Sequence, residues 1–386
     1  MFQAFEQGLA EAVADGRIAG AVALTVDRDG VTYAHAAGRR AIGGDAAMDA
    51  GTIFWIASMT KAVASVAALQ LVEQGKLSLD GDLSELLPDL KDLQVLEGID
   101  AAGAPKLRPA RGAVTLRQLL THTSGFGYGF TSAELAAYAQ TPGAANPNSG
   151  TRAGHRQPLL FDPGQGWVYG IGIDWVGIAV EAAGGQRLDA WLAEHLFAPL
   201  DMTDTGFALN AEQETRKAGM HARGPDGKLS PMAFGMPANP EVLSGGGGLS
   251  STAGDYGRFL RMLLNGGELQ GARVLSEACV AALGQVQTGD RRAGTWTSAM
   301  PALSRDIDLY PGMHTGWGLA TMITPEASPH GRSAGSLAWA GLGNTYYWAD
   351  PAAGKAGVLL TQLLPFGDPE VLALFAKLER GAYGLG

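Results

Sequence analysis

The 386-residue sequence has one cysteine, no basic cluster, no long apolar run and no metal-binding histidine spacing. Each absence removes a class of protein. Cys279 alone cannot form an intramolecular disulfide, and a thiolate metal cluster is out of reach. It falls in a helix predicted over Ser276 to Leu283, where a thiol reads as core. No apolar stretch reaches the ~18 residues of a membrane-spanning helix. The opening Met1-Phe2-Gln3-Ala4-Phe5-Glu6 carries no basic segment followed by an apolar one, so no secretory leader is visible and the cytoplasm is the expected compartment. A net charge of −10, with 28 basic residues against 38 acidic ones, disfavours nucleic acid as a partner. The seven histidines (35, 122, 155, 195, 221, 314 and 330) form no His-x-x-x-His or His-Glu-x-x-His pair, so neither metal nor cofactor is expected. A Gly-x-Ser-x-Gly elbow is missing as well, which leaves the α/β-hydrolase route to a serine nucleophile without a motif.

What is present centres on Phe54-Trp55-Ile56-Ala57-Ser58-Met59-Thr60-Lys61 and the apolar run behind it, Ala62 to Val72. Side chains three apart share a helix face, so Ser58 and Lys61 can meet at the mouth of the predicted helix. Free N–H groups and the helix dipole at that end favour developing negative charge. Lys61 lies one turn in, among Ala57, Ala62 and Ala64. Apolar surroundings weaken a lysine's hold on its proton and let it serve as a base. The result would be an activated serine nucleophile. A capped helix with a solvated lysine has the same four-residue pattern, so the motif needs partners elsewhere.

Phe2, Phe5, Leu9 and Val13 recur at helical spacing and predict an opening amphipathic helix. Ala21 to Val26 and Val31 to His35, joined by Asp27-Arg28-Asp29-Gly30, predict a hairpin. The Ser58 helix should close near Gly75 on a left-handed cap. Further helices are predicted at Thr115–Leu120, Trp175–Ala183, Arg187–Leu200 and Asp255–Leu264, with long loops over 141–157 and 224–248. Ser244-Gly245-Gly246-Gly247-Gly248 has no Walker spacing and reads as close backbone packing along a cleft. Strands return at 316–323, 336–339, 345–349 and 356–362, and Asp368-Pro369-Glu370 starts a last helix. The expected fold is α+β in layers. One antiparallel sheet is drawn from both chain ends and flanked by terminal helices, and an all-helical insertion completes it. Residues 1–60 with 285–386 form the sheet domain, residues 61–284 the helical one, and the active site lies in the cleft between them.

Two more stretches carry chemistry. Tyr169, in Gly166-Trp167-Val168-Tyr169-Gly170-Ile171, precedes the Trp175 helix. A tyrosine beside a tryptophan is commonly core, but one coupled to a lysine can shuttle protons. Trp339-Ala340-Gly341 ends a strand at a glycine. Beyond a buried aromatic, it offers the N–H of Leu342, which could join that of Ser58 as an oxyanion hole.

Taken in order, Ser58-Met59-Thr60-Lys61, Tyr169 and Trp339-Ala340-Gly341 resemble the three active-site elements of the serine β-lactamase and penicillin-binding-protein superfamily. Leu119-Leu120-Thr121-His122-Thr123-Ser124-Gly125 and Gly246 to Thr252 are further markers, so the resemblance covers nearly the whole chain. It is strongest toward class C enzymes and the family VIII carboxylesterases. Leu87-Pro88-Asp89-Leu90, Val95-Leu96-Glu97-Gly98 and Trp167-Val168-Tyr169-Gly170 with Asp174-Trp175 also look like a fungal acyltransferase that esterifies the statin nucleus.

The resemblance implies a covalent acyl-serine on Ser58, with Lys61 and Tyr169 handling its proton and the order of those two left open. It implies substrate contacts at Trp339, Gly341, Ile171, Tyr128 and Gly247. Two departures bear on the substrate. The family's Tyr-x-Asn reads Tyr169-Gly170-Ile171, and its Lys-Thr/Ser-Gly reads Trp339-Ala340-Gly341. Each exchanges a polar contact for an apolar one, so the expected substrate is a small neutral ester, with Trp339 as a wall for its acyl chain and water or an alcohol as acceptor. A β-lactamase or DD-peptidase and a non-catalytic sensor on the same fold are the alternatives.

Overall fold

The computed structural model describes residues 1–237, 239–319 and 321–385. Its centre is a seven-stranded sheet made of β1 (Gly20–Asp27), β2 (Val31–Gly38), β3 (Gly316–Trp317), β4 (Met322–Thr324), β5 (Ser336–Gly341), β6 (Thr345–Asp350) and β7 (Lys355–Leu360). The spatial order is β3-β4-β5-β6-β7-β1-β2, and every neighbouring pair is antiparallel. β1 therefore joins the two ends of the chain, with Val22 opposite Leu360 on one side and Ala36 on the other. This is the α+β arrangement expected from the sequence.

Alternation along the strands decides what covers each face. Tyr346 and Trp348 point to one side and pack on Phe375 of α5 (Pro369–Ala382), which lies against α1 (Gln3–Ala14). Trp339 and Tyr347, directly opposite each other in the β5–β6 register, point to the other side. There Tyr347 meets Tyr256 of α4 (Ala253–Leu264), whose Gly257 lets the helix down onto Leu24 and Val26. With both faces covered, β5 and β6 are buried along their full length. α4 falls within residues 61–284 but packs on the sheet, so the insertion is not purely a separate helical body.

Deeper on the same side runs α2 (Thr60–Glu73), in which every residue from Thr60 to Leu71 is buried. It is alanine-rich and free of glycine and proline, so propensity and burial agree. Gly75, at φ 69°, follows its end as expected. Ser58 departs slightly from the expectation. The α-helix proper begins at Thr60, and Ser58 occupies a preceding 3₁₀ turn, Ala57–Met59. α2 packs on α3 (Gly172–Gly184), which carries the loop of Tyr169. Two other expectations need correction. The helix predicted over Arg187–Leu200 widens into a π turn at Ala193–Phe197, and the strand over 316–323 is two short strands, β3 and β4. Among the described residues no helix is long and apolar enough to cross a membrane.

Candidate active site

Ser58, Lys61, Tyr169 and Trp339 come from four elements and converge on the α2 side of the sheet. Lys61 is fully buried, at 0% exposure. Its Nζ donates to the Ser58 Oγ at 3.2 Å, to the Tyr128 hydroxyl at 2.9 Å and to the Gly246 carbonyl at 2.6 Å. Burial lowers its pKa to about 7, against a smaller opposing pull from Asp174. A lysine in that state keeps two N–H donors for Tyr128 and Gly246 and turns its lone pair to Ser58. The three contacts already mark those positions.

Tyr169 is buried beside it, its ring centroid 4.8 Å from the Lys61 Nζ. The Trp339 indole N–H donates to its phenol oxygen at 3.0 Å. Burial raises the Tyr169 pKa, while hydrogen bonding to Ser58 and Trp339 acts in the opposite sense. Its ground state is thus the neutral phenol, which can give up a proton. His122 supports the ring at 4.8 Å between centroids and accepts from the Gly170 N–H through Nδ1 at 3.4 Å. Burial, and behind it the Lys61 charge, holds this imidazole well below its ordinary pKa and therefore neutral.

Backbone geometry completes the turn. Ala57 sits at φ 45°, in the left-handed region. That costs a non-glycine residue about 1 kcal/mol. A Cβ on Gly341 would lie 2.2 Å from the Ile56 carbonyl oxygen, so only glycine lets the end of β5 seat against this turn. That contact brings the chain at Leu342 to the Ser58 turn. The glycine run behind Ser244 also serves close packing, as expected. A Cβ on Gly246 would sit 2.5 Å from the Asp174 Oδ2, and one on Gly245 would sit 2.8 Å from the Ile173 carbonyl.

Three residues are more enclosed than their expected substrate contacts suggest, and a fourth has an added role. Trp339 is only 3% exposed and its N–H is engaged with Tyr169, so it is not an open wall for an acyl chain. Ile171 is 1% exposed at the start of α3 and faces the core. Gly247 donates its N–H to the Ser244 carbonyl and accepts the Trp55 indole N–H at 2.7 Å, so its backbone is spent on structure. Tyr128, expected at the substrate, also meets Lys61; burial keeps its hydroxyl neutral by raising its pKa well above the usual value.

Asp174 belongs to the site without carrying a motif of its own. This buried carboxylate accepts from the Ser244 hydroxyl at 2.6 Å and the Gly246 N–H at 3.0 Å, and so fixes the carbonyl that holds Lys61. An acid between Ile173 and Trp175 in an apolar helix is the signal that could have found it. Next to the cluster opens a cavity of about 640 Å³, in which Tyr169 is a wall and Ser58 and Lys61 are not. Tyr169 is thus the member of the cluster that borders this cavity.

Sheet, buried helix and the Ser-x-x-Lys turn define a family. A model of the Beta-lactamase family matches residues 3–381, and the chain belongs to it. Monacolin J acid methylbutanoyltransferase of Aspergillus terreus is 32% identical over 394 residues, covering 98% of this chain and 94% of that one. Lovastatin esterase of Penicillium rubens is 33% identical over 350 residues, covering 87% of this chain and 86% of its own. The solved structure of unliganded simvastatin synthase from Aspergillus terreus matches with a TM-score of 0.86 at 30% identity, over 99% of this chain and 97% of that one.

Proposed function

We propose that the protein is a serine esterase or acyltransferase that works through an acyl-Ser58 intermediate and prefers uncharged esters to β-lactams. The observation that carries this reading is the 3.2 Å contact between Ser58 and a Lys61 whose pKa burial has brought to about 7. A base with that pKa is near its best strength for work at neutral pH.

Ser58 Oγ attacks the acyl carbon while Lys61 Nζ takes its proton. The N–H groups of Ser58 and Leu342 hold the oxyanion, a role supported by the tight seating of Gly341 on Ile56. The tetrahedral carbon then expels the alkoxide, and Tyr169 supplies the proton that the leaving oxygen needs. The proton held by Lys61 restores the phenol. Water or an acceptor alcohol enters by the reverse route, leaving the acid or a new ester. Transfer and hydrolysis are both supported by relatives whose names describe one or the other.

β-Lactams carry a carboxylate beside the reactive carbonyl. Trp339 stands at the position where the superfamily keeps a lysine, and its N–H already serves Tyr169. A missing charge-assisted hydrogen bond of ~1.5–3 kcal/mol would slow lactam acylation by about one to two orders of magnitude.

The test is Ser58→Ala, assayed with p-nitrophenyl butyrate and nitrocefin and by intact mass after a serine-reactive phosphonate. The Ser58 hydroxyl meets Lys61 and is not at the N-cap of α2, which is Met59, so the variant should melt with the wild type while losing turnover and labelling. A folded Ser58→Ala protein with wild-type turnover would sink the mechanism. Nitrocefin turned over as efficiently as the better ester would sink the substrate preference alone.

A further inference from the structure

The cavity behind Tyr169 has an uneven chemistry. Four aromatic side chains, Phe161, Trp167, Tyr169 and Trp296, line it together with Glu97 and Glu134. Trp296 stacks on Tyr169 with centroids 5.4 Å apart and planes inclined by 7°. Among the described residues the lining contains no lysine, arginine or histidine. Such a wall attracts cations by ring quadrupoles and by charge, and it offers an anion nothing.

The two carboxylates are not equivalent. Glu97 is paired with Arg108 at 3.0 Å, and Arg108 also grips Asp162 at 2.7 Å beside Phe161. Arg111 gives its backbone N–H to the same Asp162. The Arg111 charge also acts on Asp162, so Glu97, Arg108, Asp162 and Arg111 largely cancel. Glu134 accepts from the Ser132 hydroxyl at 2.8 Å and from its own backbone N–H, and no ion pair to it occurs among the described residues. It stands near the start of a short helix, Ala133–Tyr138, on the side of the cavity that Ser132 also lines. Glu134, itself exposed to solvent, is therefore the uncompensated charge on the lining of this cavity.

Which half of the ester enters follows from Tyr169. The phenol is the group that hands a proton to the leaving alkoxide, and it is the one member of the reactive cluster that forms the cavity wall. The alkoxide's substituents extend past that phenol, whereas the acyl carbon stays at Ser58. Resting on the acyl-transfer reading above, we infer that the cavity holds the alcohol half of the ester, and that Glu134 with the aromatic wall selects alcohols bearing an ammonium group over neutral ones and rejects those bearing a carboxylate. The same preference applies to an acceptor alcohol, since acceptor and leaving alcohol occupy one site. The selection is absent from the relatives' names, one of which contains an acid acceptor.

The decisive comparison uses three butyrate esters at low ionic strength: butyrylcholine, its isosteric neutral counterpart 3,3-dimethylbutyl butyrate, and the anionic 4-butyryloxybutanoate. kcat/KM should favour the choline ester over the neutral one by roughly three- to fivefold, with the anionic ester last. Glu134→Gln should bring the choline-to-neutral ratio near one, and Glu134→Lys should put the anionic ester first. In the wild type, 0.5 M NaCl should compress the same ratio, which reads the charge effect without any variant. A wild type that hydrolyses p-nitrophenyl butyrate but shows a ratio of one, or one that salt and both substitutions leave unchanged, overturns the inference and spares the acyl-transfer reading. Inactivity toward every ester overturns both.

Discussion

Ser58 has a lysine flank and a tyrosine flank, and burial acts on them in opposite senses. On the first, loss of water brings Lys61 down to a pKa of about 7; on the second, the same loss raises Tyr169. Each group is driven toward its uncharged form, which makes the lysine an acceptor of protons and the tyrosine a donor. Their surroundings differ as well. Lys61 is held by a carbonyl and a neutral hydroxyl, with Asp174 set back behind Gly246. Tyr169 receives one N–H, from Trp339, which stabilises negative charge on its oxygen during transfer. Apolar burial thus suits the two groups to the proposed proton flow without any charged pair beside Ser58.

The sharpest way to break this comparison is Lys61→Met, which keeps the volume and removes the base. Ester turnover should fall by ~10³-fold, within the range for positioned acid–base groups. Stability should move the other way. Lys61 has a folded pKa near 7 against an unfolded value of 10.5, so between those values the unfolded chain binds the extra proton. Wild-type stability should therefore rise with pH across that window, and below it the buried lysine is a liability. At pH 6 the Met variant should melt at least as high as wild type; a clear drop would mean that Lys61 is charged and well paired in the fold. For the wild-type enzyme the same protonation predicts that kcat/KM climbs through pH 7 to a plateau. A flat profile from pH 5 to 9 on a neutral ester would remove Lys61 as base.

Tyr169→Phe tests the donor flank. Removing the hydroxyl should lower kcat on ethyl butyrate by ~10²-fold. The loss on p-nitrophenyl butyrate should be smaller, because p-nitrophenolate leaves without a proton. Combined with Lys61→Met, the double variant should be little worse than the lysine variant alone if the two act as one relay. Equal losses on both esters would assign Tyr169 to acylation rather than to the leaving group.

The smallest effect belongs to Trp339→Phe. It deletes one neutral hydrogen bond on the phenol, worth about 0.5–1.5 kcal/mol, or roughly two- to tenfold in kcat. As a positioning residue, Trp339 should leave KM near its wild-type value and, like Tyr169, affect ethyl butyrate more than the nitrophenyl ester. A loss that instead grows with acyl-chain length would restore it as a substrate wall.

That Ser58, Lys61 and Tyr169 come together is legible in the sequence because each sits in a short motif with a chemical reason for its place. So is the sheet, since β1, β2 and the C-terminal strands are short runs bounded by turn residues. What escapes is set by contacts between distant positions. Tyr128 reaches Lys61 across 67 residues, and Asp174 reaches Gly246 across 72. Neither partner leaves a periodic trace. Trp339 reads as apolar surface because its ring area is obvious in sequence, whereas the direction of its N–H depends on the β5–β6 register. α4 belongs to the insertion by its place in the chain, though Gly257 and the strand residues beneath it put it on the sheet.

The pairing of β1 with β7 has a consequence for how the chain is made. Emerging from the ribosome, β1 and β2 can close as a hairpin at once, but Val22 must wait for Leu360. Until then the inner edge of β1 exposes unpaired backbone beside a strand that is almost entirely apolar. Loop closure over such a span is slow, and partly folded chains with open edges are prone to misassociate. Yield in a foreign host should therefore track chaperone supply more than melting temperature. α1 and α5, which bring the two termini together, also indicate the remedy. Joining the ends and reopening the chain in a surface loop would synthesise β7 and β1 one after the other.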